Sequence, residues 1–307
     1  MSVFPFFGAV SAPIWRPSGT RTRTNLRLDR AQRINEFGHI DSRPRKGNRH
    51  WGETPSPQAA ETPTDGKPDS GQSGVAARRV LRAAGRATLT TVQRPAGGGG
   101  GNAGFPYPSL VLCAFDHDGT PLLCLSTLAD HTRNLAADGR AGLLFDGTAG
   151  LDQPLSGPRL SVLGRIARSD DPRHRARFLA RHAEAATYLG FGDFAIHAMT
   201  VERAHLVAGF GRVHWLDAAD LLAPAPQPAW ETGEAAAIAA AGTAGIADDG
   251  WTVTGADPDG LDLCRGGLHR RLDFPHTAAG PDGVPAFLPV LSTKGGILRS
   301  DGDSSGG

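Results

Sequence analysis

The residues with the clearest chemical potential lie in one short stretch, Ser126-Thr-Leu-Ala-Asp-His131-Thr132-Arg133-Asn134. It joins an apolar, strand-like run, PLLCLST (121–127), to DHTRNLAADG (130–139), which reads as a short helix with Asp130 as N-cap and Gly139 as its stop. A helix start offers unpaired backbone N–H groups and the positive end of a dipole, which suits phosphate. Ser126, His131, Thr132, Arg133 and Asn134 can all donate to such an anion, and Arg133 can hold two phosphate oxygens at once. The same residues also fit a surface helix with a solvated arginine and a capping threonine, so spacing alone leaves both readings open.

Other chemistries find less support. The 11 histidines are scattered, with no H-E-x-x-H and no paired-carboxylate spacing, so no dedicated metal centre is expected. There is no G-x-S-x-G, and Ser126 has no evident acid–base partner, which disfavours serine hydrolysis. The glycine run in RPAGGGGGNAGFP (94–106) reads as a flexible loop, because neither G-x-G-x-x-G nor G-K-[ST] is present. In PRHRARFLARH (172–182), Arg173, His174, Arg175, Arg177, Arg181 and His182 read as a solvated helical face. GFGDF (190–194) and GFGR (209–212) read as turns around a long strand. Cys113, Cys124 and Cys264 form no C-x-x-C and read as buried thiols of a reducing compartment.

The elements that must position these residues are mostly strands. A helix over VAARRVLRAAGR (75–86) precedes a strand at 87–93, a hairpin at 109–115 and 121–127, and strands at 140–146 and 158–168. An amphipathic helix (170–189), a long strand or strand pair (194–210) and a short helix (214–222) follow. APAPQPAW (223–230) reads as a linker, and WTVTGADPDGLDLCRGGLHRRLDF (251–274) as a three-stranded meander. The order is not β-α-β, which predicts an antiparallel barrel with peripheral helices rather than a doubly wound sheet.

Composition sharpens this division. Hydrophobic residues make up 39% of the 307-residue chain, enough for a sizeable core, while 41 Gly and 23 Pro point to disorder in part of it. The net charge of +1 hides a split: residues 1–50 carry ten Lys/Arg against three Asp/Glu, and the rest carries 22 against 28. Residues 1–73 therefore read as a basic, disordered Pro/Gly-rich extension and 293–307 as a disordered tail. The folded part is not basic enough to bind nucleic acid in general. No run of eighteen apolar residues offers a membrane span, and MSVFPFFGAVSAPIW lacks the basic start of a secretory signal, so a cytoplasmic location is expected.

LSTLADHTRN (125–134) and TVERAHLVAGFGR (200–212), with ARRVLRAAGRATLTT and GPRLSVLGRIAR, resemble the pyridoxamine 5′-phosphate oxidase-like FMN-binding split barrels, most nearly the heme-utilisation (HugZ-type) subgroup, over about residues 75–222. The resemblance implies a mainly β (α+β) fold, a six-stranded antiparallel split β-barrel with peripheral helices that forms a homodimer across its sheet. It implies FMN as cofactor, with Ser126, His131, Thr132, Arg133 and Asn134 on the flavin phosphate and Ser109, Arg159 and Ser161 bordering the ring or ribityl chain. Arg212 would approach from the partner subunit. The activity implied is flavin-mediated hydride or electron transfer with a small substrate. Heme is the alternative ligand, for which His214 and His269 are axial candidates. A third reading is a non-catalytic flavin-binding or interaction protein.

Residues 231–292 resemble the small α+β domain that often follows this barrel, in degenerate form. The opening helix of that domain carries a Met-Asn-x-Asp-His block, for which this chain has ETGEAAAIAAAGTAGIADDG. Its closing helix is replaced by PDGVPAFLPVLS, whose prolines are expected to break it.

Overall fold

The structure is a computed structural model that describes residues 70–95, 103–209, 211–224, 227–247 and 250–295. The disorder expected for 1–73 and 293–307 lies outside the described residues, apart from 70–73 and 293–295, which are helical. The glycine run at 96–102 also lies outside them.

Six antiparallel strands close into a barrel: β1 (Arg86–Val92), β2 (Pro106–Phe115), β3 (Pro121–Ser126), β4 (Arg140–Asp146), β5 (Arg159–Arg168) and β6 (Phe194–Val207). Their order around the barrel is β1-β2-β3-β6-β5-β4, and β4 returns to β1. Strand β6 closes the ring because it is long enough for two partners along one edge. Its first part pairs with β3 (Ser126↔Phe194), and its second with β7 (Val213–Asp217). Between β5 and β6 the register shifts at Leu163/Gly164. A Cβ at Gly164 would overlap the Thr200 carbonyl, so the strands approach this closely only with glycine there.

The period-2 pattern decides what faces inward. Ala87 and Leu89 of β1, Leu143 and Phe145 of β4, and Leu160 and Val162 of β5 are buried in the barrel core. The opposite face of the sheet, β2 and β7 included, keeps large apolar residues in water. Leu110 is 71% exposed and Trp215 53%, with Leu144, Leu163 and Val213 between 41% and 51%. In the strand register, Leu110, Thr88, Leu144, Ser161, His205 and Trp215 form one row across six strands.

Helices cover the remaining sides. α1 (Ser70–Ala83) begins ahead of the expected start at 75. α2 (Asp130–Ala137) packs on β1 and β5. The single helix expected over 170–189 is two, α3 (Pro172–Arg181) and α4 (Ala185–Tyr188). Asp171 caps α3 by accepting from the Arg173 N–H at 2.8 Å, and Pro172 needs no N–H in the first turn. The break falls at His182, whose Nε2 lies 2.8 Å from the Cys113 carbonyl. The helix expected over 214–222 is instead strand β7 followed by α5 (Ala218–Leu221).

The linker expected at 223–230 is also corrected. α6 runs Gln227–Thr243, so Pro228 falls in its first turn, and Trp230 is fully buried. The meander appears as β8 (Thr252–Asp257), β9 (Gly260–Arg265) and β10 (Leu268–Asp273). The prolines expected to break the closing helix instead shape a 3-10 segment, Pro281–Phe287, that leads into α7 (Leu288–Gly295), where Pro289 sits in the first turn. Trp230, Ala237, Leu261, Phe274, Val284 and Leu291 belong to a second core.

A buried ion network ties this module to the barrel. Arg78 and Arg82, one turn apart on α1, bond Asp259 of the β8–β9 turn and Asp257 at the end of β8, both at 2.8 Å. Arg271 holds Asp257 through two 2.6 Å bonds. From α3, Arg177 donates to Glu234 at 2.5 Å and Arg181 lies 3.2 Å from Asp262. The solvated face expected of this helix is thus half wrong: Arg175 is exposed, but Arg177 and Arg181 are buried against the module. Burial pulls Asp257 upward, yet Arg271 and Arg82 hold it well below the ordinary carboxylate range.

Candidate functional site: the first turn of helix α2

α2 follows β3 after a three-residue turn. Ala129, in extended conformation, is the N-cap with no side-chain cap bond, and Asp130 is the first helical residue rather than the expected cap. The helix start therefore has no capping side chain of its own.

Three side chains of the first turn carry unsatisfied or available polar atoms. His131 Nδ1 lies 3.1 Å from Ser109 Oγ on β2, while its buried Nε2 has no hydrogen-bond partner. Burial pushes the His131 pKa down, with Asp130 opposing, so the ring is neutral at pH 7. In the tautomer whose Nδ1 accepts from the Ser109 hydroxyl, Nε2–H is a free donor. Thr132 is 8% exposed and its Oγ1 is also without a partner. Arg133 is about half exposed, with Nη1 4.0 Å from Asp130 Oδ1.

The other two motif residues serve the fold. Asn134 is completely buried; its amide donates to Thr91 Oγ1 at 3.0 Å and Gln93 Oε1 at 3.4 Å, and its carbonyl accepts the Arg94 N–H at 3.1 Å. It clips α2 to the end of β1 and has no donor left for an anion. Ser126 Oγ donates to Asp193 Oδ2 at 2.6 Å and accepts from the Leu128 N–H at 3.1 Å. An anion would compete with a carboxylate for that hydroxyl.

The remaining expected residues lie elsewhere. Arg159 and Ile166 are seven residues apart on β5, roughly 23 Å at strand spacing, and α2 sits at the Ile166 end, where the Ile166 N–H donates to Gly139. Arg159 Nη1 donates to the Leu155 and Gly157 carbonyls at 3.1 and 3.3 Å. Arg212, in the β6–β7 turn, donates to the Ala208 carbonyl at 2.6 Å. Ser161 lies on the outer face between Leu144 and His205. Within one chain these residues are not gathered around α2. The two axial candidates are on different sheets: His214 on β7, and His269 on β10 with its ring edge-on to His182 at 5.3 Å.

Sequence reasoning missed three neighbours. Asp193 belongs to GFGDF, where the glycines dominate the pattern. His197 on β6 is buried, and its pKa is lowered by burial, then by Arg168 and His131. Arg94 abuts the glycine run, and its Nη2 lies 3.6 Å from Asp130 Oδ1. Among the described residues, no group of three or more His, Cys, Asp or Glu is placed to hold a metal ion. No described helix is long and apolar enough to cross a membrane. Cys113 and Cys124 are free, and burial pushes their thiols up to about 12 and about 11, which makes them poor nucleophiles.

The donor set at α2 fits an anionic phosphate at His131, Thr132 and Arg133 and does not extend to Asn134. Comparison with known proteins bears on this barrel. The family model described as "CREG, beta-barrel" matches residues 68–223. A non-canonical heme oxygenase HOZ, chloroplastic, of Arabidopsis thaliana is 32% identical over 109 residues, 34% of this chain and 33% of that protein, so the match spans about a third of the curated relative's length. A protein of unknown function, Atu2129, from Agrobacterium tumefaciens is similar with a TM-score of 0.57 and 24% identity, covering 71% of this chain and 94% of that one. A heme binding protein from Mycobacterium smegmatis aligns over 75% of this chain and 99% of that one, at 25% identity and a TM-score of 0.46. The split barrel implied by the sequence resemblance is the fold of this chain.

Proposed function

The chain belongs to the CREG β-barrel family, and on that basis we propose that its barrel binds FMN by the phosphate at the first turn of α2, as an oxidoreductase-like flavoprotein acting on a small molecule. The observation that carries this reading is the pair of buried polar atoms without partners, His131 Nε2 and Thr132 Oγ1, beside the half-exposed Arg133. Native proteins rarely leave such atoms unpaired, and a helix start is where an anion pairs them most readily.

When bound, the flavin supplies hydride or electron transfer. The chain's own part is binding and orientation. Ser109 Oγ holds the His131 ring through Nδ1, and in the tautomer whose Nδ1 accepts from that hydroxyl Nε2–H is the donor left for the anion, while Arg133 adds charge. Asn134 keeps α2 pinned to β1, so these donors stay in register.

The reading includes a homodimer across the outer sheet face. Arg159 lies at the far end of β5 from α2, and in this reading Arg212 reaches the flavin from a second copy packed on this face. The exposed Leu110, Leu144, Leu163 and Trp215 supply the apolar contact. Trp215, tilted against the His205 ring at 4.5 Å and under Arg203 at 4.5 Å, has the character of an interface anchor. Trp215→Asp is expected to convert the dimer to monomer in sedimentation; an unchanged dimer would place the interface elsewhere.

A second reading, heme binding, rests on the relative named as a heme oxygenase. The absorbance spectrum of the purified chain separates the two. Flavin bands, restored by added FMN after dialysis, are expected. A Soret band on hemin addition with no uptake of FMN would overturn the flavin reading in favour of heme.

A further inference from the structure

We propose that Asp130 is a built-in competitor for the anion at α2 and that Arg94 is a further residue that binds it, so that an incoming phosphate displaces a carboxylate to reach two guanidinium groups. The inference rests on the phosphate reading above and adds what governs occupancy of that site.

Arg94 lies two residues past β1, and its N–H donates to the Asn134 side chain at 3.1 Å. Asn134 in turn grips Thr91, so the chain at Arg94 is tied to the helix and its guanidinium is held beside the first turn. There, Arg94 Nη2 and Arg133 Nη1 approach the same atom, Asp130 Oδ1, from 3.6 and 4.0 Å. Neither distance is a hydrogen bond. The carboxylate thus sits between two cations without satisfying either, and Arg94 Nε is buried with no partner. Thr132, more than nine-tenths buried, and His131 add two further polar atoms without partners in the same turn.

These features match a single requirement. Two guanidinium groups and one carboxylate leave a net positive charge, which a dianionic phosphate neutralises better than Asp130 does, with three oxygens to distribute among the free donors. Asp130 lies on the surface, 54% exposed, and can swing into water as the phosphate arrives. In its absence the carboxylate screens the two arginines from each other.

An acidic residue in the first turn of a helix also has a purely structural use, through the helix dipole. The two roles predict opposite results for Asp130→Asn. FMN titration of the full chain, followed by flavin fluorescence quenching with riboflavin as the phosphate-free control, decides between them. As the competitor is removed, Asp130→Asn is expected to lower the FMN dissociation constant by about 3–10-fold, and Arg94→Gln to raise it by about 10-fold, with riboflavin affinity unchanged in both. Arg94→Lys, which keeps the charge, should recover part of the loss. Unchanged or weaker FMN binding in Asp130→Asn, or unchanged binding in Arg94→Gln, overturns the proposal while leaving the phosphate reading intact if Arg133→Ala still weakens FMN. If the unaltered chain does not prefer FMN to riboflavin, the phosphate reading fails and this proposal falls with it.

Discussion

The same residue types do opposite work at the two ends of this molecule. Where α1 and α3 meet the C-terminal module, arginines and carboxylates are buried and closely paired: Arg82 is 1% exposed and Asp257 fully buried, 2.8 Å apart. At the start of α2, Arg94, Arg133 and Asp130 are one-third to one-half exposed and 3.6 to 4.0 Å apart. The first set has exchanged water for one another, though Arg82 Nε and Arg181 Nε lack a hydrogen-bond partner, and is committed to the fold. The second has not, and retains the capacity to bind something else. Composition does not separate a structural arginine from a binding one; the state of its partners does.

The largest effect that tests this contrast is in the junction. Arg82→Ala takes one of two guanidinium partners from the buried Asp257, leaving Arg271, and removes the donor to the His117 carbonyl; it is expected to cost about 3–5 kcal/mol, read as a melting temperature lower by roughly 6–20 °C. A shift of about 1 °C would show the network to be dispensable and erase the contrast. Arg133→Ala, by comparison, should weaken FMN binding by about 10–100-fold, since a hydrogen bond to a charged group contributes about 1.5–3 kcal/mol. Its melting temperature should stay within about 2 °C, as its own carboxylate partner is exposed and loose.

Asn134→Ala is expected to behave as a junction residue despite standing in the motif. It leaves Thr91 Oγ1 and the Arg94 N–H unpaired, for about 1–3 kcal/mol of stability. Finding flavin affinity lost with stability unchanged would move it back into the ligand site. The smallest effect is a pH trend. Burial lowers the pKa of His182 and His197, so the folded state holds them neutral where the unfolded state binds protons. Their contribution is complete above about pH 6.5 and is lost as pH falls toward the lower folded values. The melting temperature should decline between about pH 7 and pH 5, before the carboxylates titrate; a rise over that interval would contradict the burial of these rings.

Much of the barrel was legible because its strands alternate strictly. Arg140–Asp146 is found as read, and Arg159–Arg168 within one residue. The helix start at 130 was legible because strand and helix periodicities meet there. What was not legible depended on long-range partners. Arg177 and Arg181 read as solvated because nothing local signals that Glu234 and Asp262, more than fifty residues on, will cover them. The segment 223–230 read as a linker because its prolines are conspicuous, whereas Trp230 becomes a core residue only through the module it enters. Asn134 read as a phosphate donor from its neighbours, but its bonds go to β1 across forty residues. Arg94, next to a glycine run, carries no local signal at all.

The phosphate site at α2 is tested most directly by comparing the dissociation constants of FMN and riboflavin for the same chain, since the two ligands differ only in the phosphate. The account predicts that FMN binds at least about 100-fold more tightly, as charge-assisted bonds to Arg133 and His131 require, and that most of this preference vanishes in Arg133→Ala. Equal affinities for the two flavins, or a preference that survives Arg133→Ala intact, would contradict it.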